Sequence, residues 1–381
     1  VLNWEPEGSI LIMLPNGDRV RFGRAGAHRE PMLTINSYRV ILKSIRRGAL
    51  GFAQSYLDGD IECDDLALLF RFFLANSGRF SHSGGRLFKT RKADRHAHRH
   101  RHNSRRNARR NILDHYDLGN DFFAQWLDPE MMYSSGIYAD ATTTLEDSQT
   151  AKLDLILQMM APKEGERVLE IGCGWGGFAR HAARRSGVHV TGVTLSDAQL
   201  AEARKRARVE ALDHAMSFRL QDYRDIPGTF DHIASIEMIE AVGQEYWPVY
   251  FRTLADRLKP GGSAVIQAIT IAEHRFDAYA SSADFIQRFI FPGGMLLTNG
   301  AIAREAKAAG LTLERTQLFG ASYARTLCEW RRRFDAAWPR IEAQGFDARF
   351  QRLWHYYLTY CEAGFANGLI DVGIYKLVKP G

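Results

Sequence analysis

Three observations predict a two-part α/β chain, with a Rossmann-like domain preceded by a smaller α+β domain. From Val168 onward, apolar runs of strand length alternate with runs of helical spacing, the sequence pattern of a parallel sheet covered by helices on both faces. The first run closes on an acid and spaced glycines, Val168-Leu-Glu-Ile-Gly-Cys-Gly-Trp-Gly-Gly-Phe178, as a strand does when it turns into a helix around a ligand. Between the two halves, Lys89 to Arg110 has no apolar periodicity, so it can bury no core and marks a boundary. A length of 381 residues also suits about two domains. The expected division is 1–88 for an accessory domain, 89–110 for a basic linker and 111–381 for the α/β domain.

In the first part, Ser9-Ile-Leu-Ile-Met-Leu14 and Arg19-Val-Arg-Phe22 flank Pro15-Asn-Gly-Asp18, and Asn16-Gly17 is the strongest local signal for a hairpin. Ile35 to Ile45 carries apolar residues at strand spacing, Gly48 to Asp60 reads as a helix running into a turn at Asp58-Gly59, and Ala67 to Leu74 is spaced as a helix. No catalytic constellation occurs here, so this half is expected to serve oligomerisation, such as a homodimer, or substrate presentation. In the second part, the expected order begins with strand Val168–Ile171, helix Phe178–Arg185, strand Val188–Val193 and helix Asp197–Val209. Strands Ser217–Leu220 and His232–Ile236 follow, then helix Trp247–Leu258, the turn Lys259-Pro-Gly-Gly262 and strand Gly262–Ile271.

Charge is concentrated. Arg86 to Arg110 holds 11 of the 50 basic side chains, four histidines and one acid, Asp94, leaving 39 basic and 43 acidic groups elsewhere, a net of −4 against +6 for the whole chain. Such a segment suits an anionic surface, either lipid headgroups or nucleic-acid phosphates, or serves only as a solvated hinge. His96, His98, His100 and His102 stand among arginines that repel cations, with no cluster of carboxylates or thiolates, so no metal site is expected. Cys63, Cys173, Cys328 and Cys361 are far apart, which argues against a zinc motif or disulfide framework and fits a reducing, cytoplasmic setting. No stretch approaches the ~20 apolar residues of a membrane span, and the opening residues lack the order of a signal peptide. The start at Val1 without Met is expected to reflect trimming of an earlier segment.

An open α/β sheet binds its ligand at the carboxyl ends of the strands, and the candidate contacts fall there. Glu170 offers an acceptor, while Gly172, Gly174 and Gly176 remove side chains where backbone passes close to a ligand. Glu-x-Gly-x-Gly-x-Gly differs from the G-x-G-x-x-G that cradles a pyrophosphate and is the usual first motif of class I S-adenosylmethionine methyltransferases. After the second strand stands Thr194, where a dinucleotide enzyme usually places an acid. Thr194 and Gln199 are neutral partners for ribose hydroxyls, and Gln221-Asp222 follows the third strand, where an adenine edge would lie. Each has an alternative role as a helix cap or turn residue.

A series of segments in order carries a wider likeness: Ser104-Arg-Arg-Asn-Ala-Arg-Arg-Asn-Ile-Leu-Asp-His-Tyr-Asp-Leu-Gly-Asn120, Met132-Tyr-Ser-Ser135, Gly172-Cys-Gly-Trp-Gly-Gly177 and Gly192-Val-Thr-Leu-Ser196. Ile236-Glu-Met-Ile-Glu-Ala-Val-Gly243, Phe289-Ile-Phe-Pro-Gly-Gly294, Phe319-Gly-Ala-Ser-Tyr323 and Cys361-Glu-Ala-Gly-Phe365 continue it, with a weaker match at Leu57-Asp-Gly-Asp-Ile-Glu62. On these segments the chain resembles the cyclopropane fatty acid synthase family of S-adenosylmethionine-dependent enzymes. The resemblance implies methyl transfer to a cis double bond in an unsaturated fatty acyl chain of a membrane phospholipid, with Tyr133 and Ser134 among the cofactor contacts. It implies a cyclopropane, methyl-branched or methylated-alkene product, and an amino-terminal domain that assists lipid binding or dimerisation. A position peripheral to the inner face of the membrane follows, with the basic linker meeting an anionic bilayer rather than nucleic acid. O- or N-methylation of a small apolar molecule is the alternative, against which the apolar and aromatic segment Phe285 to Leu297 points to a hydrocarbon channel.

An alkene is a weak nucleophile, so such an enzyme must align it with the methyl donor, exclude water, stabilise a cation and remove a proton. The resemblance implies bicarbonate as the base, held by a small polar cluster to which Glu240, Tyr323 and the backbone of Ile269 correspond. Two positions depart: Ser135 and Gln267 stand where many members carry cysteine and histidine. Glutamine neither carries charge nor titrates, so bicarbonate is expected to bind differently or not at all, and both products stay open. The structural alternatives are a buried acid for Glu240, a core aromatic for Tyr323 and ordinary packing for Ser135 and Gln267.

Overall fold

The computed structural model describes residues 7–23, 29–76 and 118–381, and in it the amino-terminal hairpin forms where Asn16-Gly17 places it. β1 (Ser9–Met13) pairs antiparallel with β2 (Arg19–Gly23), and Leu14 N–H donates to Asp18 O at 2.8 Å to close the turn. β3 (Met32–Ile35) runs parallel to β1. α1 (Arg39–Arg47) and α2 (Ala49–Leu57) connect it to β4 (Ile61–Cys63), which is antiparallel to β3 and completes the order β2-β1-β3-β4. α3 (Leu66–Ala75) starts at Asp65, whose carboxylate accepts Leu68 N–H at 3.0 Å. The helices expected within Gly48–Asp60 and Ala67–Leu74 are present.

Ile35 to Ile45 is not a strand. Pairing stops at Ile35, where the N–H groups of Asn36 and Ser37 both turn to Asp60 O, and α1 begins after Tyr38. The cause of the misreading is physical: Ile41, Leu42 and Ile45 face outward, so their spacing does not report a buried face. The basic stretch Lys89–Arg110, and with it most of Ser104–Asn120, lies outside the described residues.

α4 (Asn120–Ala124) and α5 (Leu145–Met160) lead into β5 (Arg167–Ile171), α6 (Gly177–Ser186), β6 (His189–Thr194) and α7 (Asp197–Val209). β7 (Met216–Leu220), β8 (Phe230–Ile236), α8 (Trp247–Arg257) and β9 (Leu258–Ile271) follow, matching the expected order. Lys259–Gly262 is not a free turn, because Leu258 already pairs with Phe230 and Gly261 and Gly262 exchange backbone hydrogen bonds with Lys379. The remainder comprises α9 (Glu273–Ala280), α10 (Phe285–Phe289), α11 (Asn299–Ala308), β10 (Thr312–Leu318), α12 (Gly320–Glu342), α13 (Ala348–Ala366) and β11 (Ile370–Val378).

The second sheet has the order β10-β11-β9-β8-β5-β6-β7. From β9 to β7 neighbouring strands are parallel, whereas β11 is antiparallel to β9 and β10 to β11. Alternation along the strands sends Val168, Val190, Ala234 and Val265 into one apolar layer with α5, α6 and α7. Leu169, Val193, Ile233 and Ile266 enter the opposite layer with α8 and α11. A third core joins the two domains, packing Leu57, Leu69 and Phe70 with Trp330 and Phe334 of α12 and Trp354 and Tyr356 of α13. Surface pairs across the same junction, Arg349–Asp58 and Arg352–Glu62, are worth about 0–1 kcal/mol each, so apolar burial holds it. Among the described residues no helix is long and apolar enough to cross a membrane.

The parallel strands all end on one edge, and close packing behind that edge sets the turn after β5. A Cβ on Gly192, within β6, would lie 2.8 Å from Phe218 Cδ1 and 2.9 Å from Cys173 Cβ. Gly192→Ala is expected to lower stability by about 1–3 kcal/mol through overpacking, visible as a lower urea midpoint at unchanged slope.

Candidate active site

β5 ends at Ile171, and the chain reverses through Gly172 (φ 79°) and Gly174 (φ 51°), a left-handed geometry that glycine adopts without steric cost. The N–H groups of Gly172 and Cys173 both donate to Val193 O at 3.0 Å, tying the turn to β6. A Cβ on Gly172 would stand 2.9 Å from Met238 Cγ, whereas one on Gly174 would meet nothing within 4 Å, so bare backbone faces open space there. Gly176 stands back from that space. It caps α6, and a Cβ would lie 2.9 Å from Phe218 Cζ, which makes it a packing glycine.

Glu170 is buried beside this turn, and its Oε2 has no hydrogen-bond partner among the described residues. Burial pushes its carboxyl up to about 8. An orphaned carboxyl oxygen next to bare backbone is a seat for a ligand bearing a donor or positive charge, so the residues present fit S-adenosylmethionine. Thr194 Oγ1 donates to Gln199 Oε1 at 2.8 Å and accepts Ser196 N–H at 3.2 Å, preforming a polar wall after β6. Gln221 joins that wall with Nε2 held by Asp225 O at 2.8 Å. Asp222 is off the wall, and its carboxylate accepts Arg224 N–H at 3.0 Å and pairs with the Arg224 guanidinium at 2.6 Å.

These groups line one end of a cavity of about 1190 Å³. Single-ligand pockets run about 300–1,000 Å³, so the volume admits a nucleoside-sized ligand and a second one. Beyond Tyr133, Glu237 and Glu240 the walls become apolar and aromatic, with Phe52, Phe70 and Phe73 from the amino-terminal domain facing Ile286, Phe291 and Tyr360. Tyr133 and Tyr357, both on the wall, share a hydrogen bond between their hydroxyls at 2.9 Å.

A polar cluster occupies the junction of the two ends. Asp128 accepts the N–H groups of Glu130 and Met132, each at 2.9 Å, turning the chain at Met131. Gln149 Nε2 then holds Ser134 O at 2.8 Å, and Gly136 N–H donates to Thr326 Oγ1 at 3.2 Å. So threaded, Ser135 N–H donates to Glu237 Oε1 at 2.9 Å. Gln267 Nε2 reaches the same oxygen at 2.6 Å, and Tyr323 O–H donates to Glu237 Oε2 at 2.6 Å. The hydroxyl of Ser135 is turned away, onto Gly136 O at 2.9 Å. Alongside, Glu240 Oε1 accepts Ile269 N–H at 2.6 Å, while Oε2 has no partner among the described residues.

Glu240, Tyr323, Ser135, Gln267 and Ile269 are therefore gathered at one place, as the sequence predicted, but Ser135, Gln267 and Tyr323 converge on a carboxylate it did not single out, Glu237, while Ile269 pairs with Glu240 beside it. Glu237 sits in the same Ile236–Gly243 motif as Glu240, and an acid directly after a strand end was the available signal. Lys152 was also missed. It is wholly buried on α5, in the stripe Leu145, Gln149, Lys152, Ile156, and donates to Ser134 Oγ at 2.7 Å. A lysine in an apolar register was its signal.

Burial dominates the electrostatics. It moves Lys152 down to about 8, and it moves Glu240 up to about 8 with help from the charge of Glu237. Burial raises Glu237 too, but Tyr323, Ser135, Lys152 and Gln267 all act against it, so Glu237 is the member of the pair that ionises first. The Tyr323 phenol is pushed well above its ordinary value by burial and by Glu237, and it stays a donor.

Residues 103–374 match the mycolic acid cyclopropane synthetase family. The chain is 38% identical over 364 residues to the tuberculostearic acid methyltransferase UfaA1 of Mycobacterium tuberculosis, covering 93% of this chain and 84% of that one. It is 38% identical over 344 residues to the cyclopropane-fatty-acyl-phospholipid synthase of Escherichia coli K12, covering 88% and 84%. Among solved structures, mycolic acid cyclopropane synthase CmaA1 complexed with SAH and CTAB superposes with a TM-score of 0.68 at 29% identity, over 71% of this chain and 98% of that one. The Rossmann-like class I fold and the resemblance read from the motifs are both borne out, and this chain belongs to the mycolic acid cyclopropane synthetase family of S-adenosylmethionine-dependent methyltransferases.

Proposed function

We propose that this enzyme methylates a carbon of a cis double bond in an unsaturated fatty acyl chain of a membrane phospholipid. The observation that carries this reading is a single cavity with two unlike ends and a buried polar cluster where they meet. Relatives named for tuberculostearic acid methylation and for cyclopropane-fatty-acyl-phospholipid synthesis support it. Glu170, Gly172, Gly174, Thr194, Gln199 and Gln221 would hold S-adenosylmethionine, with Tyr133 and Ser134 at the junction. When bound, that group supplies a methyl made electrophilic by its sulfonium.

The chain's own residues supply the rest. Apolar walls exclude water and align the acyl chain, so that the π electrons meet the methyl and the resulting cation is not trapped. Tyr133 and Tyr357 offer aromatic faces to that cation. The amino-terminal domain, with Phe52, Phe70 and Phe73, guides the acyl chain, and the basic stretch Lys89–Arg110 holds the enzyme on the anionic cytoplasmic face of a bilayer. The bicarbonate implied by the resemblance does not fit among Ser135 N–H, Gln267 and Tyr323 O–H, because these already donate to Glu237.

Incubation with S-adenosylmethionine bearing a trideuterated methyl and a cis-monounsaturated phospholipid is expected to label the acyl chain. Two deuterons retained in a saturated ring identify cyclopropane formation, and three retained with the double bond kept identify a methylated alkene. Labelled small molecules with unlabelled lipid would overturn the reading in favour of O- or N-methylation.

Glu240→Gln is expected to lower turnover by about 100-fold or more while cofactor affinity is kept, as measured by calorimetry. Its stability has a defined pH dependence. Folded wild-type protein keeps the Glu240 proton up to about 8, against 4.5 in the unfolded chain, so this group makes folding less favourable as pH rises through that window. The glutamine variant lacks that loss, and its denaturation midpoint relative to wild type is expected to rise between pH 5 and pH 8.

A further inference from the structure

Glu237 is the least expected feature of the site. It adopts φ 49°, an uncommon conformation for a residue other than glycine, and it is only partly exposed, on the cavity wall. Its carboxylate accepts three hydrogen bonds, from Ser135 N–H, Gln267 Nε2 and Tyr323 O–H. Tyr323 belongs to the set that the resemblance assigns to a bicarbonate ion, and Ser135 and Gln267 stand at the two positions where this chain departs from that set. A side-chain carboxylate presents the same planar pair of oxygens as bicarbonate, and it lines the cavity at the junction of the two ligand ends. The substitution is matched chemically: Gln267 gives Glu237 a neutral amide donor.

We propose that Glu237 is a built-in catalytic base standing in for bicarbonate, so that turnover needs no dissolved anion. The inference rests on the acyl-chain reading above. In the step, the alkene π pair forms the new carbon–carbon bond, the methyl–sulfur bond breaks with its electron pair left on sulfur, and the neighbouring carbon becomes cationic. The Glu237 carboxylate then accepts one proton. If it comes from the added methyl, the released C–H pair closes a cyclopropane; if it comes from the chain, that pair forms an alkene. The proton passes to solvent before the next cycle.

The test compares wild type, Glu237→Gln and Glu237→Gly with and without bicarbonate in carbon dioxide-free buffer. Wild type is expected to keep its full rate when bicarbonate is removed and to show no binding of ¹³C-bicarbonate by NMR. Glu237→Gln keeps the shape without the base and is expected to lose about 100-fold or more in rate, with SAH affinity within about twofold of wild type. Glu237→Gly relieves the positive φ and opens a carboxylate-sized space. It is expected to bind ¹³C-bicarbonate and to regain activity with millimolar bicarbonate or formate, a rescue that a purely structural glutamate would not give. A wild-type rate that falls on bicarbonate removal overturns the proposal, as does Glu237→Gln retaining more than a tenth of the rate. Wild type that binds SAH yet labels no unsaturated lipid would sink the acyl-chain reading instead.

A second inference rests on a different surface. Tyr38, which caps α1, and Ile41, Leu42 and Ile45 on it follow i, i+3, i+4, i+7 spacing and are 53%, 50%, 58% and 57% exposed, while Val40 is buried. Arg39 and Arg46 border this stripe, and Ser44, on the same helix, lines the acyl cavity together with Ala49. A solvent-facing apolar stripe with arginines along its edge is the pattern of a helix lying in a lipid interface. The geometry points to α1 as the element that enters an anionic bilayer beside the acyl entrance, again on the reading that the substrate is a phospholipid.

Co-sedimentation with vesicles of phosphatidylglycerol and phosphatidylcholine tests this with the double variant Ile41→Asp, Leu42→Asp. Both positions are exposed, so the fold is expected to survive, with an unchanged melting temperature. Vesicle partitioning is expected to fall at least tenfold, while turnover of detergent-dispersed phospholipid is kept. Unchanged partitioning overturns the proposal. So does a wild-type dimer that dissociates in the variant with vesicle binding intact, which would make α1 a contact between copies.

Discussion

Enclosing acidic side chains at the open end of a parallel sheet is the constraint around which this molecule is arranged. An unpaired carboxylate away from water is unfavourable by several kcal/mol unless donors converge on it. For Glu237 and Glu240 those donors come from the Met132–Gly136 segment, from β9 and from the start of α12. Satisfying the charge therefore fixes three distant parts of the chain against one another. Lys152 and Glu170 extend the same buried electrostatic network across the sheet, and each is moved towards its neutral form by desolvation.

The sheet supplies the edge on which this can happen. Its two apolar layers bury both faces, so only the carboxyl ends of the strands are left to carry polar chemistry. The glycine turn after β5 presents backbone rather than side chain, and the Thr194–Gln199 pair presents neutral partners beside it. The third core then brings aromatic residues of the amino-terminal domain over the opposite end. One continuous space thus has a polar half and an apolar half. A methyl donor and a hydrocarbon need to meet in such a space without water.

The order and spacing of residues made much of this legible. The apolar alternation from Val168 placed β5 to β9 and their helices, because β5, β6, β8 and β9 send side chains into both apolar layers and β7 buries Met216 and Phe218 on one, so their apolar positions report burial directly. Asn16-Gly17 placed the hairpin, since Gly17 takes the left-handed conformation (φ 90°) that brings the chain back to Leu14. Glu240, Tyr323, Ser135, Gln267 and Ile269 were found through short motifs, and the fold gathers them. Where burial and spacing part company, the reading failed. α1 turns its apolar side chains to solvent and read as a strand, and β10 is mostly exposed and gave no periodic signal.

By itself the sequence determined the class of fold, the turn that bares its backbone to a ligand and the residue types available for chemistry, because these follow from local spacing and from what glycine and acids can do. Tertiary structure decided which acid stands at the centre. Glu237 and Glu240 are three residues apart and chemically alike, and only the approach of Ser135, Gln267 and Tyr323 from distant segments distinguishes them. Tertiary structure likewise set Lys152 in the interior and joined the amino-terminal aromatics to the cavity, since long-range packing, not local pattern, determines what a buried charge faces.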